Sequence, residues 1–460
     1  MAQSSGVKAR VKSGEKDTLT FIKDFVDKDS FIETDTLIAS LNPLGEVVGE
    51  GVVGGFAVIN GIQTALFATN PSVLKGSIGV GAAEKIARIV NNAVKTGVPL
   101  ISVIDTSGAR FGEGAEILDG YGKILASCAK AYGVVPTICV IKGSNLGMLS
   151  YLTAYSDLTV AFDKSVMATA SPLVLASKTK IDVAKVGTAS ANAETGVVSV
   201  IVKSAAELKN TVSAYLELVG EPVIESTDDL NRNCKGLKVG AKTSTLIKEA
   251  VDKDSFLELR SDYAPEVVTG LARLGGISVG LVANNPSVGD GRLTCKASLK
   301  VCELLTLCQT YGLPVVNLVD CAGAAADLTE ENGGLIREVG NLIYSYSQIS
   351  VAKISLVVGK AIGVGYTAFC SKSICDYSAA WTGTETGALE SEAVARLLYG
   401  EDIAKAKDKK KAEEKFASAY AKENMSADGV AALGLYDNVV KPEFSRRFLI
   451  GIVQTFLSKR

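Results

Sequence analysis

Short apolar runs alternate with glycine-containing turns and longer amphipathic stretches along most of the chain. The runs "GGFAVING" (54–61) and "QTALFATN" (63–70) predict two strands. A glycine turn then leads into "AAEKIARIVNNAVKTG" (82–97), whose apolar spacing predicts a helix ending at Gly97, ahead of Pro99. "PLISVID" (99–105) reads as a buried strand, "TSGARFGEG" (106–114) as a loop, and "VPTICVIKG" (135–143) as a second buried strand after another helix. Strands alternating with helices and joined by glycine turns predict a largely parallel, covered sheet.

The same pattern occurs twice. The hexapeptide "VDKDSF" stands at 26–31 and again at 251–256. "VVGGFAVINGIQTALFATNPSV" (52–73) aligns with "VVTGLARLGGISVGLVANNPSV" (267–288), placing Gly55 on Gly270, Asn70 on Asn285 and Pro71 on Pro286 at a constant offset of 215. That offset persists for Lys85 and Lys300, Pro99 and Pro314, and Asp105 and Asp320. Further on, "VIKGSNLG" (140–147) pairs with "VVGKAIGVG" (357–365) after a slip of one or two residues. An internal duplication is the economical reading. The polar, turn-rich stretch 220–243 reads as the boundary, which predicts a mobile tail over 1–19 and two domains over 20–225 and 226–460.

Composition narrows the chemistry. The 460 residues carry a formal net charge of −2 and 21% charged residues, so no basic field for nucleic acid is expected. The mixed run "EDIAKAKDKKKAEEK" (401–415) reads as a solvated helix face or loop. Nine scattered cysteines without a C-x-x-C pair, a polar N-terminus, and no long uncharged apolar run predict a cytoplasmic protein with reduced thiols. Lys360 interrupts the most apolar stretch. With no histidine in the chain, Ser-His-Asp, Cys-His and His-ligated metal mechanisms are excluded, and no metal site is expected.

Loops following buried strands are the usual ligand sites of such sheets. Four qualify, at 105–114, 143–148, 320–334 and 359–366, and all are rich in small residues. Glycine there lets a ligand approach the backbone and leaves N–H groups free to face negative charge. Tight turns without a function are the plain alternative for any one of them.

Longer motifs go further. "IDTSGARFGEG" (104–114), "DYAPEVVTGLARLGGISVGLVANNP" (262–286), the stretch 320–372 from "DCAGAAADL" to "GYTAFCSK", and "AALGLYDNVVKPEFSRR" (431–447) together resemble the carboxyltransferase subunit of biotin-dependent acyl-CoA carboxylases and decarboxylases. The resemblance runs from about residue 20 to 460 and implies an α/β fold of two tandem crotonase-like domains, the first on the acyl-CoA side and the second on the biotin side. It implies carboxyl transfer between biotin on a separate carrier and a short-chain acyl-CoA. Breakdown of carboxybiotin supplies both carbon dioxide and the ureido anion that takes the α-proton, so no histidine is needed. Biotin carboxylase and a biotin carboxyl carrier protein, or membrane decarboxylase subunits, are the implied partners. The implied assembly is a hexamer, a trimer of dimers.

Carried over by motif, backbone N–H groups of Gly147 and Met148 in the first domain, and of Val364 and Gly365 in the second, become candidate oxyanion donors supported by Gly143 and Gly363. Ser107, Gly108, Ala109 and Arg110 fall in the loop resembling the one that lies along CoA, with an ion pair to Glu113 or Glu116 as the other reading of Arg110. Gly76, in "KGSIGVG" (75–81), is a second candidate contact for CoA or simply part of a helix start. Gly323, Tyr366 and Thr367 would surround the acyl and biotin pockets, and Thr367 replaces the acidic residue of propionyl-type members. A Ser–Lys peptidase using Lys142 with Ser144 or Ser150, a hydratase of the crotonase type, and a non-catalytic scaffold are the competing readings; no G-x-S-x-G elbow supports the first.

Overall fold

The computed structural model describes residues 16–42 and 45–457. It divides at Glu217/Leu218 into two compact units, near the end of helix Ala205–Gly220 and ahead of the turn-rich 220–243 stretch. Most of the expected 1–19 tail lies outside the described residues. Its last four residues belong to helix α1 (Lys16–Phe25), where Ile22 and Phe25 are buried and Thr18 bonds Asn70 at 3.2 Å.

In the first unit, strands β1 (Ile32–Glu33), β2 (Val52–Ile59), β3 (Ile62–Thr69), β4 (Leu100–Thr106), β5 (Thr137–Leu146), β6 (Leu158–Phe162), β7 (Val166–Ala168) and β8 (Val200–Val202) form one sheet. The order is β1-β2-β3-β4-β5-β6-β8, with β7 added beside β5. Pairing is antiparallel from β1 to β3 and parallel thereafter. Helices α2 (Val80–Thr96) and α3 (Glu116–Ala131) pack on it, burying Ile86, Val90, Tyr121 and Ile124 with Phe67 and Ile104. Helix α2 begins two residues before the expected Ala82 and ends at Gly97, whose φ of 71° closes it in the left-handed region that glycine favours.

The second unit repeats this arrangement. Its strands are β9 (Leu257–Leu259), β10 (Val267–Leu274), β11 (Ile277–Asn284), β12 (Val315–Cys321), β13 (Lys353–Ile362), β14 (Tyr377–Trp381), β15 (Glu385–Gly387) and β16 (Asn438–Val440). The order is β9-β10-β11-β12-β13-β14-β16, with β15 beside β13. Helices α4 (Cys295–Tyr311) and α5 (Leu335–Gln348) follow β11 and β12, and a separate core gathers Leu281, Ile354, Leu356 and Trp381. Residue register repeats as well: Ala65 faces Leu100 in one sheet and Gly280 faces Val315 in the other, each 215 residues on.

The repeated hexapeptide has a mechanical role in both units. The Asp27 carboxylate accepts from Asn60 N and Gly61 N, at 3.1 and 2.9 Å, in the turn joining β2 to β3. Asp252 accepts from Gly275 N and Gly276 N, both at 2.8 Å, in the turn joining β10 to β11. Buried lysines repeat too, with Lys85 Nζ donating to Val52 O at 2.6 Å and Lys300 Nζ to Val267 O at 2.7 Å. The mixed charge run 401–415 closes one helix, Ser391–Lys405, and opens the next, Lys409–Asn424, where Asp408 accepts from Lys411 N at 3.0 Å.

Candidate active site

Each unit gathers its glycine loops at the C-terminal ends of the central parallel strands. In the first, β4 and β5 slip register between Ile104 and Thr106. The Asp105 carboxylate turns under β5 and accepts from Ser144 N at 3.0 Å. A Cβ on Gly143 would sit 2.5 Å from that carboxylate, so only glycine fits there. Gly147 follows at φ 77° and opens a 3₁₀ helix, Gly147–Tyr155, with open space where a side chain would stand. The leading N–H groups of a helix have no partner within it. Gly147 and Met148 occupy those positions.

The neighbouring loop reaches this turn. Gly108, at φ 104°, approaches Leu146 O to within 3.3 Å of a built Cβ, and its own carbonyl accepts from Ile78 N at 2.9 Å. Ser107 is exposed and Ala109 half-buried in a bridge to Ile78. Segments 76–79, 107–110 and 146–148 therefore converge.

Two expectations in this unit change. Arg110 is buried, with its guanidinium donating to Glu50 at 2.7 Å, to Glu113 at 2.9 Å and to the carbonyls of Glu50 and Ser77. It braces the loop and leaves no open cation for a phosphate. Gly76, at φ 67°, lies under Asp105 O, which a Cβ would meet at 2.2 Å. It is a packing glycine. The start of α2 is also taken, because Glu113 Oε2 accepts from Val80 N at 2.6 Å and supplies the anion that a helix N-terminus favours.

The second unit uses the same device one residue out of step after the strand. Asp320 accepts from Lys360 N at 2.8 Å, and Gly359 lies against its carboxylate as Gly143 does against that of Asp105. Burial raises the Asp320 carboxyl above its ordinary value, against the opposing Lys360 amide. Gly323 has φ 106° and approaches Ile362 O, as Gly108 approaches Leu146 O. Gly363, at φ 51°, donates to Gly387 O at 2.9 Å and caps helix α6 (Val364–Phe369), so Val364 and Gly365 hold its first two N–H positions. A Cβ on Gly365 would come 2.9 Å from the Cys321 side chain. Tyr366 donates to Leu435 O at 3.1 Å and packs edge-on to Tyr436 at 5.9 Å, and burial pushes its phenol up to about 12. Thr367 is exposed, with its hydroxyl 3.3 Å from Gly363 O. Gly147 and Gly363 are equivalent, as are Met148 and Val364.

The competing serine chemistry finds no geometry. Ser150 donates to Gly147 O at 2.7 Å, Lys142 lies over the Phe21 ring at 4.7 Å, and no hydrogen bond joins that lysine to Ser144 or Ser150 among the described residues.

The carboxyl transferase domain family matches residues 10–455. The chain belongs to that family. This carboxyltransferase is 32% identical to the methylmalonyl-CoA carboxyltransferase 12S subunit of Propionibacterium freudenreichii subsp. shermanii over 90% of its own length and 82% of the relative's. It is 30% identical to methylmalonyl-CoA decarboxylase subunit alpha of Veillonella parvula, covering 94% and 88%. It is 28% identical to the human mitochondrial propionyl-CoA carboxylase beta chain, covering 99% and 88%. Among solved structures, the transcarboxylase 12S hexamer with hydrolysed methylmalonyl-CoA bound matches at a TM-score of 0.90 and 28% identity, covering 100% of this chain and 95% of that one. The fold is thus the two-domain crotonase type that the resemblance implied. No helix among the described residues is long and apolar enough to cross a membrane.

Sequence reading missed the residues that brace the carboxyltransferase's loops: Glu50 for the first unit, and Arg292 and Glu390 for the second. The one available signal was a difference between the copies, since Arg292 stands where the first has Ser77.

Proposed function

We propose that this chain moves a carboxyl group between biotin on a separate carrier protein and a short-chain acyl-CoA of the acetyl or propionyl type. The observation that carries the reading is the duplicated turn: a positive-φ glycine, Gly147 or Gly363, opens a short helix beside a second positive-φ glycine, Gly108 or Gly323. Such a turn presents oriented N–H groups without a side chain in the way. Carboxylated biotin, when bound, would supply the carboxyl group and, once that group leaves, a base of its own. The protein's part is to stabilise negative charge, at the thioester oxygen by Gly147 and Met148 in the first unit and at the biotin side by Val364 and Gly365 in the second. Fixed N–H donors suit this because they need no reorganisation as charge develops; losing one in other enzymes costs about 2.7–4 kcal/mol. Ser107, Gly108 and Ala109 offer the surface for CoA, and Gly323, Tyr366 and Thr367 flank the second turn. The names of the relatives support CoA thioesters as substrates, and the transcarboxylase 12S hexamer supports a hexameric assembly; biotin carboxylase and a biotin carboxyl carrier protein as partners, and a cytoplasmic location, are part of the same proposal. The decarboxylase relatives favour a second reading, in which membrane subunits take the place of biotin carboxylase.

Purified protein given free biotin is expected to release carbon dioxide slowly from malonyl-CoA or methylmalonyl-CoA. Absence of biotin-dependent loss from both, and from glutaconyl-CoA, would sink the reading.

A further inference from the structure

The two units brace equivalent loops with unrelated side chains. In the first, the brace is the buried Arg110 with Glu50 and Glu113. In the second, Ala325 stands at the place of Arg110, and the brace comes from elsewhere. Arg292 Nη1 donates to Ala322 O at 2.6 Å and reaches Ala324 O, the two carbonyls flanking Gly323. Its Nη2 pairs with Glu390. The other oxygen of Glu390 takes Lys360 Nζ at 3.0 Å. Lys360 lies three residues before Gly363, and its backbone N–H is already held by Asp320. Glu390 itself ends the segment whose Gly387 O accepts from Gly363 N and whose Ala388 O lies 3.2 Å from a Cβ built on Gly363.

We propose that Glu390 is a positioning residue for the Gly363 turn: by joining Arg292 to Lys360 it clamps the 322–324 loop, the end of β13 and the 387–390 segment around that turn. One carboxylate shared by two cations fixes both, whereas either pair alone would leave one segment untethered. All three side chains are only half-buried, so the clamp is adjustable in a way the buried Arg110 brace is not. Burial pushes the Glu390 carboxyl up, but the bonds from Lys360 and Arg292 outweigh it and hold the group below the usual range, so the carboxylate stays charged. A misplaced second turn would harm the biotin side while leaving acyl-CoA binding in the first unit intact. That last step rests on the function proposed above; the clamp itself does not.

Two measurements on the full chain test it. Amide hydrogen exchange of Glu390→Gln is expected to quicken at least about tenfold at Gly363, Leu293 and Ala325, the amides hydrogen-bonded around the clamp, and to stay unchanged at their first-unit counterparts Ile78 and Arg110. Unchanged exchange at Gly363 and Leu293 overturns the clamp whatever the activity. In the biotin-dependent assay, the variant is expected to lose on the order of 100-fold in kcat, as displaced reacting groups do, with KM for acyl-CoA held within about threefold. Glu390→Asp should recover part of the loss. Wild-type activity retained by Glu390→Gln, or an equal loss in acyl-CoA binding, also overturns the proposal. A wild-type chain inactive with biotin would instead defeat the proposed function, and the exchange data would still judge the clamp.

Discussion

Arg110 shows how far one residue's meaning depends on its neighbours. As letters, "SGARFGEG" offers a cation in a loop that resembles a CoA contact. As structure, the guanidinium is enclosed and Glu50 beside it has no solvent exposure. Removing one member of a buried ion pair strands the other charge, which typically costs about 3–5 kcal/mol. Arg110→Met should therefore lower the urea midpoint strongly, and adding Glu50→Gln should recover part of it. A variant as stable as wild type but with a raised KM for acyl-CoA would return Arg110 to the ligand. An ion pair with Glu113 or Glu116 was legible in the sequence, and the structure takes Glu113. Glu50, sixty positions away, was not.

Among elements, the repeated hexapeptide is a clamp on a hairpin. Asp27 reaches the turn between β2 and β3, and the Gly61 amide is the largest influence holding its carboxyl below the ordinary 3.8; burial opposes and Asn60 and Lys209 assist. A lowered folded value means the unfolded chain takes up its proton first as pH falls. The stabilisation is then complete above about pH 4 and disappears as pH falls through the folded value. Urea unfolding of Asp27→Asn against wild type should show a stability gap at pH 7 that narrows once the pH passes below 3.8. A gap of constant size across that range would mean the carboxylate charge has no part in the clamp. The hexapeptide announced a duplication; that its aspartate reaches past β1 to the next turn is visible only in three dimensions.

At the scale of the molecule, each unit has its own sheet and its own core. Residues 16–220 and 221–457, expressed separately, should each unfold in one cooperative transition, seen by circular dichroism and calorimetry together. Neither half should release carbon dioxide from malonyl-CoA with biotin, because the proposed acyl-CoA and biotin turns belong to different units. A half that turns over alone would place both sets of chemistry in one copy.

Two copies of one domain, the alternation of strand and helix, and the glycine turns after the central strands were all written in the sequence. A 215-residue offset and an apolar period are local records that survive without coordinates. The resemblance of the long motifs carried the family in the same way. The tertiary structure alone decided that Arg110 braces while Arg292 and Glu390, 98 residues apart, do so for the other copy. It also decided that Gly76 packs beneath a carbonyl and that Glu113 occupies the start of α2. These are meetings of side chains across loops. They depend on where strands end and which way the backbone leaves them, and neither leaves a periodic trace in the order of residues.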